Sequence, residues 1–204
     1  IPWQAEEAGE FFGTTEVSVT LSLLQVIDNP RQDVPLLSVL RSPLYDFSPD
    51  RLAQLRAGGE GMVYDCLTAA AERGEADCVQ FLGTLSELRA LAAEENSHRL
   101  LWEVYRRSDL LAVFSAMPEG ERRRANLLSL YDAARRFESA GHKGLFGFLA
   151  HVGRMMENGL TLPVPAQGGG GVRILSIHKS KGLEFPVVFL CGLERQFNEG
   201  DSKA

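Results

Sequence analysis

No apolar run in this chain of 204 residues approaches the roughly 20 residues that a membrane-spanning helix needs. No stretch has the charged, apolar, small-residue pattern of a signal peptide. Cysteine is scarce. Cys66, Cys78 and Cys191 are an odd set with no CxxC and no ligand-like spacing, which argues against a disulfide framework and fits buried, reduced thiols. An excess of positive charge is missing too. The net charge is −6, which excludes a small protein that holds nucleic acid by overall charge, though a local basic patch remains possible on an acidic body. There is no Walker A loop. Gly168 to Gly171 are followed by Lys179 and Ser180 only after a whole strand, and Arg173 stands where the first glycine of the motif belongs. No acidic Walker B, no nuclease motif and no Ser/His/Asp order is visible. His98, His142 and His151 share no metal-ligand spacing and read as structural or solvent-exposed.

What is present suits a globular protein of one or two domains, with 45% hydrophobic and 24% charged residues. Most of the chain has helical periodicity. Val17, Leu21, Leu24 and Ile27 mark one face of a first helix that Thr14 or Thr15 caps, with Glu16 at the positive end of its dipole. Asn29-Pro30 stops it, and Asp33 restarts a helix that Ser42-Pro43 breaks. Ser48-Pro49-Asp50 is a strong start: cap, proline at the first position, then an acid. Further helices run from about Met62 to Glu72 and from about Ala76 to Glu95, the latter with Val79, Leu82, Leu85, Leu88 and Leu91 every three residues. Asn96-Ser97 caps the next, Leu110 to Met117 is short, Gly120 to Glu138 is long and amphipathic, and Leu145 to Glu157 is the last. The arginines Arg122 to Arg124, with Arg106-Arg107 and Arg135-Arg136, read as a solvated helix face, with a phosphate-contacting patch as the sharper alternative.

Composition then shifts. Leu162 to Gly171 carries prolines and then four glycines, a linker that is stiff and then flexible. Beyond it, two β-rich runs, Val172 to Ile177 and Pro186 to Leu190, flank a polar loop with His178, Lys179, Ser180, Lys181, Gly182 and Glu184. The expected fold is mainly α, a compact domain of seven to nine helices with a short C-terminal β element. The expected domains are a helical body over 1–161, a linker over 162–171 and a strand-loop-strand piece over 172–204. Lysines and backbone amides of the loop suit phosphate, Gly182 permits a tight turn, and the Glu184 carboxylate suits sugar hydroxyls. On residue chemistry alone a plain surface loop between strands is the simpler account.

The run from Ser176 to Phe189 resembles motif V of the UvrD/RecB-like superfamily 1 DNA helicases, with wording closest to the AddA-type component of bacterial helicase–nucleases. Ile1-Pro-Trp-Gln, Gly9-Glu-Phe-Phe-Gly13, Val26-Ile-Asp-Asn-Pro-Arg-Gln-Asp33 and Val39-Leu-Arg-Ser-Pro-Leu44 resemble the same family, whereas Met62 to Gly159 matches only in being helical. The resemblance implies that 1–161 is a 2B-like subdomain inserted into the second RecA-like domain, and that 172–204 returns to that α/β domain. It implies that Glu184, with Gly182 and Lys181, lies on the ATP side, and that Ser176, His178 and Lys179 lie on the DNA side; Ser176 stands where threonine is commoner. It also implies ATP and Mg2+ in the full-length protein. The partners it implies are single-stranded and duplex DNA and an AddB-like nuclease subunit. A role in double-strand break repair and a bacterial cytoplasmic setting follow from the same resemblance. The chain begins at Ile1 without methionine and stops soon after an apolar run, so it is expected to be a piece of a longer protein, inactive alone because ATP needs a second motor domain. Two other readings are kept: a non-enzymatic helical interaction module, and a UvrD-type repair helicase without a nuclease.

Overall fold

A computed structural model of the chain describes residues 3–5, 11–162, 172–175 and 177–191. The chain divides into two compact units, one of residues 8–169 and the other of residues 1–7 with 170–204.

The larger unit is helical. Its described residues form α1 (Thr15–Asp28), α2 (Asp33–Arg41), α3 (Pro49–Ala57), α4 (Val63–Glu72), α5 (Ala76–Glu94), α6 (Ser97–Arg107), α7 (Leu110–Ser115), α8 (Gly120–Ser139) and α9 (Leu145–Glu157). These nine helices match the expected fold class and lie close to the bounds that breakers and caps set. Ser48 accepts from the Arg51 backbone N–H at 3.1 Å, as the Ser-Pro-Asp start requires. Glu119 takes a left-handed backbone before α8, and a Cβ on Gly120 would lie 1.9 Å from the Ser115 carbonyl oxygen. Only glycine fits that turn.

Helix α1 is the centre of the unit and packs on α2, α5, α8 and α9. The sequence marked one apolar face, but Val19, Leu23 and Val26 are buried as well as Val17, Leu21, Leu24 and Ile27. A helix surrounded by other helices has no solvent face, so its apolar residues need not share a stripe. In α5 the expected every-third-residue row is corrected. The buried residues are Cys78, Phe81, Leu85 and Leu88, while Val79 is 49% exposed. Three residues fall short of a full 3.6-residue turn, so a strict row of threes drifts round the helix, and spacings of three, four and three stay on one face.

Glu16 is the main surprise of the core. Its side chain is 2% exposed and accepts hydrogen bonds from Arg123 Nη1 and Asn126 Nδ2, each at 2.6 Å. Arg123 also donates to the Pro118 carbonyl at 2.9 Å. The acid does not simply decorate the start of α1, and Arg123 does not belong to a solvated face; together they fasten α1 to α8. Thr14, at the cap position, does not accept from the helix amides and instead donates to the Phe11 carbonyl at 2.8 Å. At the start of α6 the Asn96 side chain caps nothing; Glu138 of α8 accepts from the His98 backbone N–H at 3.4 Å and contacts the His98 ring. Tyr105, fully buried, donates to the Leu127 carbonyl at 2.7 Å and ties α6 to α8 again.

A second polar clamp holds α3 to the start of α5. Arg51 binds Asp77 through Nε and Nη2 at 2.7 Å each and Glu75 through Nη2 at 2.7 Å. The Arg51 guanidinium holds the carboxyls of both Asp77 and Glu75 below their ordinary range, with Arg73 adding to the effect on Glu75. Burial, and then Asp77, push the Cys78 thiol up to about 11.

In the smaller unit, β1 (Trp3–Ala5) pairs in parallel with β2 (Val172–Ile174), Trp3 facing Val172 and Ala5 facing Ile174. The two β-rich runs therefore do not form two full strands. The first ends at Ile174, Ile177–Ser180 is a helical turn (α10), and residues 186–190 have no regular secondary structure. Pro186 has no amide to give a ladder, and among the described residues the run has no neighbour strand. Val187, Val188 and Phe189 are exposed, Phe189 at 82%. β-branched composition suits a ladder but does not supply the partner. No helix among the described residues is long and apolar enough to cross a membrane.

Glu16→Ala strips buried Asn126 and half-buried Arg123 of their acceptor and should lower the unfolding free energy by roughly 3 kcal/mol. Denaturant titration checks this, and a loss below about 1 kcal/mol would show that the contact is ornamental. Arg51→Gln should show the pH signature of the second clamp. The carboxyls of Asp77 and Glu75 titrate lower in the folded chain than their ordinary 3.8 and 4.5, so the clamp stabilises above those values and fades as pH falls through the lower folded ones. The gap in thermal midpoint between wild type and Arg51→Gln should be full near about pH 7 and shrink towards about pH 3. An unchanged gap across that range would rule the clamp out.

Candidate functional site

In the smaller unit a short helical turn and the bend after it carry several described residues with ligand chemistry. Ile177–Ser180 makes a single helical turn, in which the Ser180 hydroxyl donates to the Ile177 carbonyl at 2.8 Å. The Leu183 N–H then donates to the Ser180 carbonyl at 3.0 Å and closes a tight bend. Gly182 sits in that bend at φ +83°, a left-handed conformation that costs an L side chain about 1–2 kcal/mol. The glycine is thus demanded by the backbone, because no neighbouring atom would meet a Cβ there.

The bend leaves Lys181 and Glu184 exposed, two residues of opposite charge on either side of Gly182-Leu183. Neither makes an ion pair with another described residue. An ammonium and a carboxylate held apart on a tight turn can meet a ligand with both anionic and hydroxyl groups, the first by charge and the second by accepting hydrogen bonds. His178 and Lys179 lie within the helical turn, but their side chains fall outside the described residues, as does Ser176 altogether. The structure thus brings Lys181, Gly182 and Glu184 together on one turn. A strand-loop-strand reading did not foresee the helical turn before them; an Ile-His-Lys-Ser run has no cap or breaker that announces one.

Among the described residues one group has the donors for a metal ion: Glu75, Asp77 and Cys78, whose ligand atoms lie within 4.8 Å of one another. Arg51 already supplies the positive charge there, and its Nη2 lies 3.3 Å from the Cys78 sulfur. With the thiol held protonated and both carboxylates engaged, that group is a structural clamp.

Comparison with known proteins places this turn in context. The sequence profile of the UvrD-like helicase C-terminal domain matches residues 76–197, which includes α5 to α9 of the helical body and the whole Lys181–Glu184 turn. The chain is 43% identical to a protein of Acetivibrio thermocellus, 42% to one of Geobacillus thermodenitrificans and 39% to one of Lactobacillus helveticus, each over 98% of its own length. All three are named as the A-type subunit of an ATP-dependent helicase/nuclease, and the chain spans 17% of the length of each. A profile that covers more than half the chain, ends beyond the motif V-like run and agrees with its helical fold leaves one conclusion: the chain belongs to the UvrD-like helicase C-terminal domain family.

Proposed function

We propose that this chain is part of an ATP-dependent 3′–5′ DNA helicase, an AddA-like helicase–nuclease subunit that works in double-strand break repair and recombination in the bacterial cytoplasm. The observation that carries this reading is the turn at Lys181–Glu184: an exposed carboxylate beside a left-handed glycine, within a run that reads as motif V. The names of the relatives point the same way.

In this reading the helical body is the 2B-like subdomain, supported by the compactness of residues 8–169, and the terminal piece belongs to the second RecA-like domain. The Glu184 carboxylate accepts hydrogen bonds from the ribose hydroxyls of the nucleotide. Gly182 bends the backbone so that Lys181 stands on the nucleotide side. Ser176, His178 and Lys179, earlier on the same run, face the single strand. One short segment therefore touches both ligands, and a change in how the nucleotide is held shifts the groups that grip DNA. ATP with Mg2+ supplies the free energy of stepping. The residues present fit one wall of such a site, since Glu184 is exposed and can accept. With no Walker A loop, the piece is inactive by itself. Its protein partners are the rest of its own chain and an AddB-like nuclease subunit; duplex DNA lies ahead of the motor.

The test is Glu184→Ala in the full-length protein. DNA-stimulated ATP hydrolysis should fall at least about tenfold, or roughly 1.4 kcal/mol, while affinity for single-stranded DNA holds. Full ATPase activity in the variant would remove Glu184 from the site. A full-length protein with no ATPase at all would favour the helical interaction module, and helicase activity without nuclease would favour the UvrD-type enzyme.

A further inference from the structure

Helices α2, α3 and α4 leave a cavity of about 360 Å³ between them. Its walls follow helical spacing. Asp33 and Leu37 are four residues apart on α2, Leu52 and Leu55 three apart on α3, and Val63 and Cys66 three apart on α4. Each pair therefore lies on one side of its helix. Leu55 and Cys66 are each 2% exposed and form the inner wall, while Leu37, Leu52 and Val63 are half-buried and lie nearer the opening. A space of this size with apolar walls and few polar groups has the make-up of a ligand site.

Two polar side chains line the same cavity, and both are only partly used. Asp33 Oδ1 accepts the Val63 N–H at 3.0 Å. Arg56 Nη1 donates to the Gly61 carbonyl and lies 3.9 Å from the Cys66 sulfur. These bonds anchor each group to the segment that leads into α4. Asp33 Oδ2 and Arg56 Nε and Nη2 have no partner among the described residues. The carboxylate and the guanidinium pair neither with each other nor with any other described charge. Asp65, two residues after Val63, is already matched by Arg31 at 2.6 Å. Opposite charges held apart beside an apolar space leave one acceptor and one donor for a ligand that lies between them. The apolar surface also continues past the opening. Val34 precedes Leu37 by three residues on α2 and is 80% exposed, and Met62, next to Val63, is exposed as well. An occupant that covers them extends beyond the cavity, which suits a chain and not a single small molecule.

We propose that this cavity is a docking pocket for a peptide segment that inserts one leucine- or phenylalanine-sized side chain. The side chain fills the space between Leu37, Leu52 and Val63. The backbone N–H of the inserted residue donates to Asp33 Oδ2, and its carbonyl accepts from Arg56, both charge-assisted bonds. An apolar anchor in a pocket, with backbone bonds at the rim, is a recurring way to hold a peptide. The pocket belongs to the helical body and does not rest on the function proposed for the Lys181–Glu184 turn.

The experiment titrates N-acetyl-leucinamide into the chain and follows the methyl signals of Leu37, Leu52 and Val63 by NMR. N-acetylglycinamide, with the same backbone groups and no side chain, and free leucine are titrated alongside. N-acetyl-leucinamide should shift the three sets of methyls saturably, and N-acetylglycinamide should not. Asp33→Asn keeps the Oδ1 acceptor for Val63 and should weaken binding about tenfold, as should Arg56→Gln. Ala53 lines the cavity from an exposed position, so Ala53→Trp should block the pocket and abolish the shifts without loss of helicity. Free leucine binding more tightly than its blocked form would make this a site for an amino acid and overturn the peptide assignment. Methyl shifts that follow protein concentration with nothing added would show a second copy in the pocket and overturn it likewise. Shifts that are absent, or unchanged in Ala53→Trp, would remove the pocket altogether.

Discussion

The helical body depends on one buried charge. Glu16 stands in the first turn of the central helix with almost no access to solvent, and a carboxylate in that position is tolerable only if every lone pair it exposes to the interior finds a donor. Arg123 and Asn126 supply those donors from α8, more than a hundred residues away in sequence. The apolar core around α1 is non-directional and would accept α8 in several registers. The Glu16 contact accepts one. Directional polar bonds in a low-dielectric interior thus select among packings that burial alone would leave close in energy.

The same division of labour recurs around the periphery. Arg51 fixes α3 to α5 through two carboxylates, and Glu138 fixes the start of α6 by holding His98. Tyr105 adds a buried hydroxyl bond between α6 and α8. Along the outer side of α5 and α6, Glu87, Arg107, Glu103 and Arg106 form a chain of ion pairs; Arg106 and then Arg107 hold Glu103 down to about 2. Such exposed pairs add little individually. The buried and half-buried ones determine which helix meets which.

The smaller unit follows different physics. Its two short strands pair in parallel, and the turn that follows is shaped by a glycine in a left-handed conformation. The charged groups on that turn, Lys181 and Glu184, are exposed and make no ion pair among the described residues, in contrast to Glu16, Arg51, Asp77 and Arg123 of the helical body. Groups left free to bind contribute nothing to folding, while those used for folding are not available to bind. The Lys181–Glu184 turn and the Arg51–Asp77–Glu75 clamp contain the same kinds of side chain in these two opposite uses.

Helix existence and helix ends were legible in the sequence because their causes are local. Asn29-Pro30, Ser42-Pro43 and Ser48-Pro49-Asp50 act through their own backbone preferences and hydrogen bonds within a few residues. The motif V-like run was legible for the same reason: it is contiguous, and Gly182 shapes it through its own backbone. The tertiary structure alone decided what depends on distant partners. It buried α1 on every side, turned Val79 of α5 outward, drew Arg123 out of an apparently solvated arginine run to meet Glu16, let Glu138 take the place of an Asn96 cap, and paired Trp3–Ala5 with Val172–Ile174. Each of these is set by an atom supplied from elsewhere in the chain, and no local pattern specifies which distant residue will supply it.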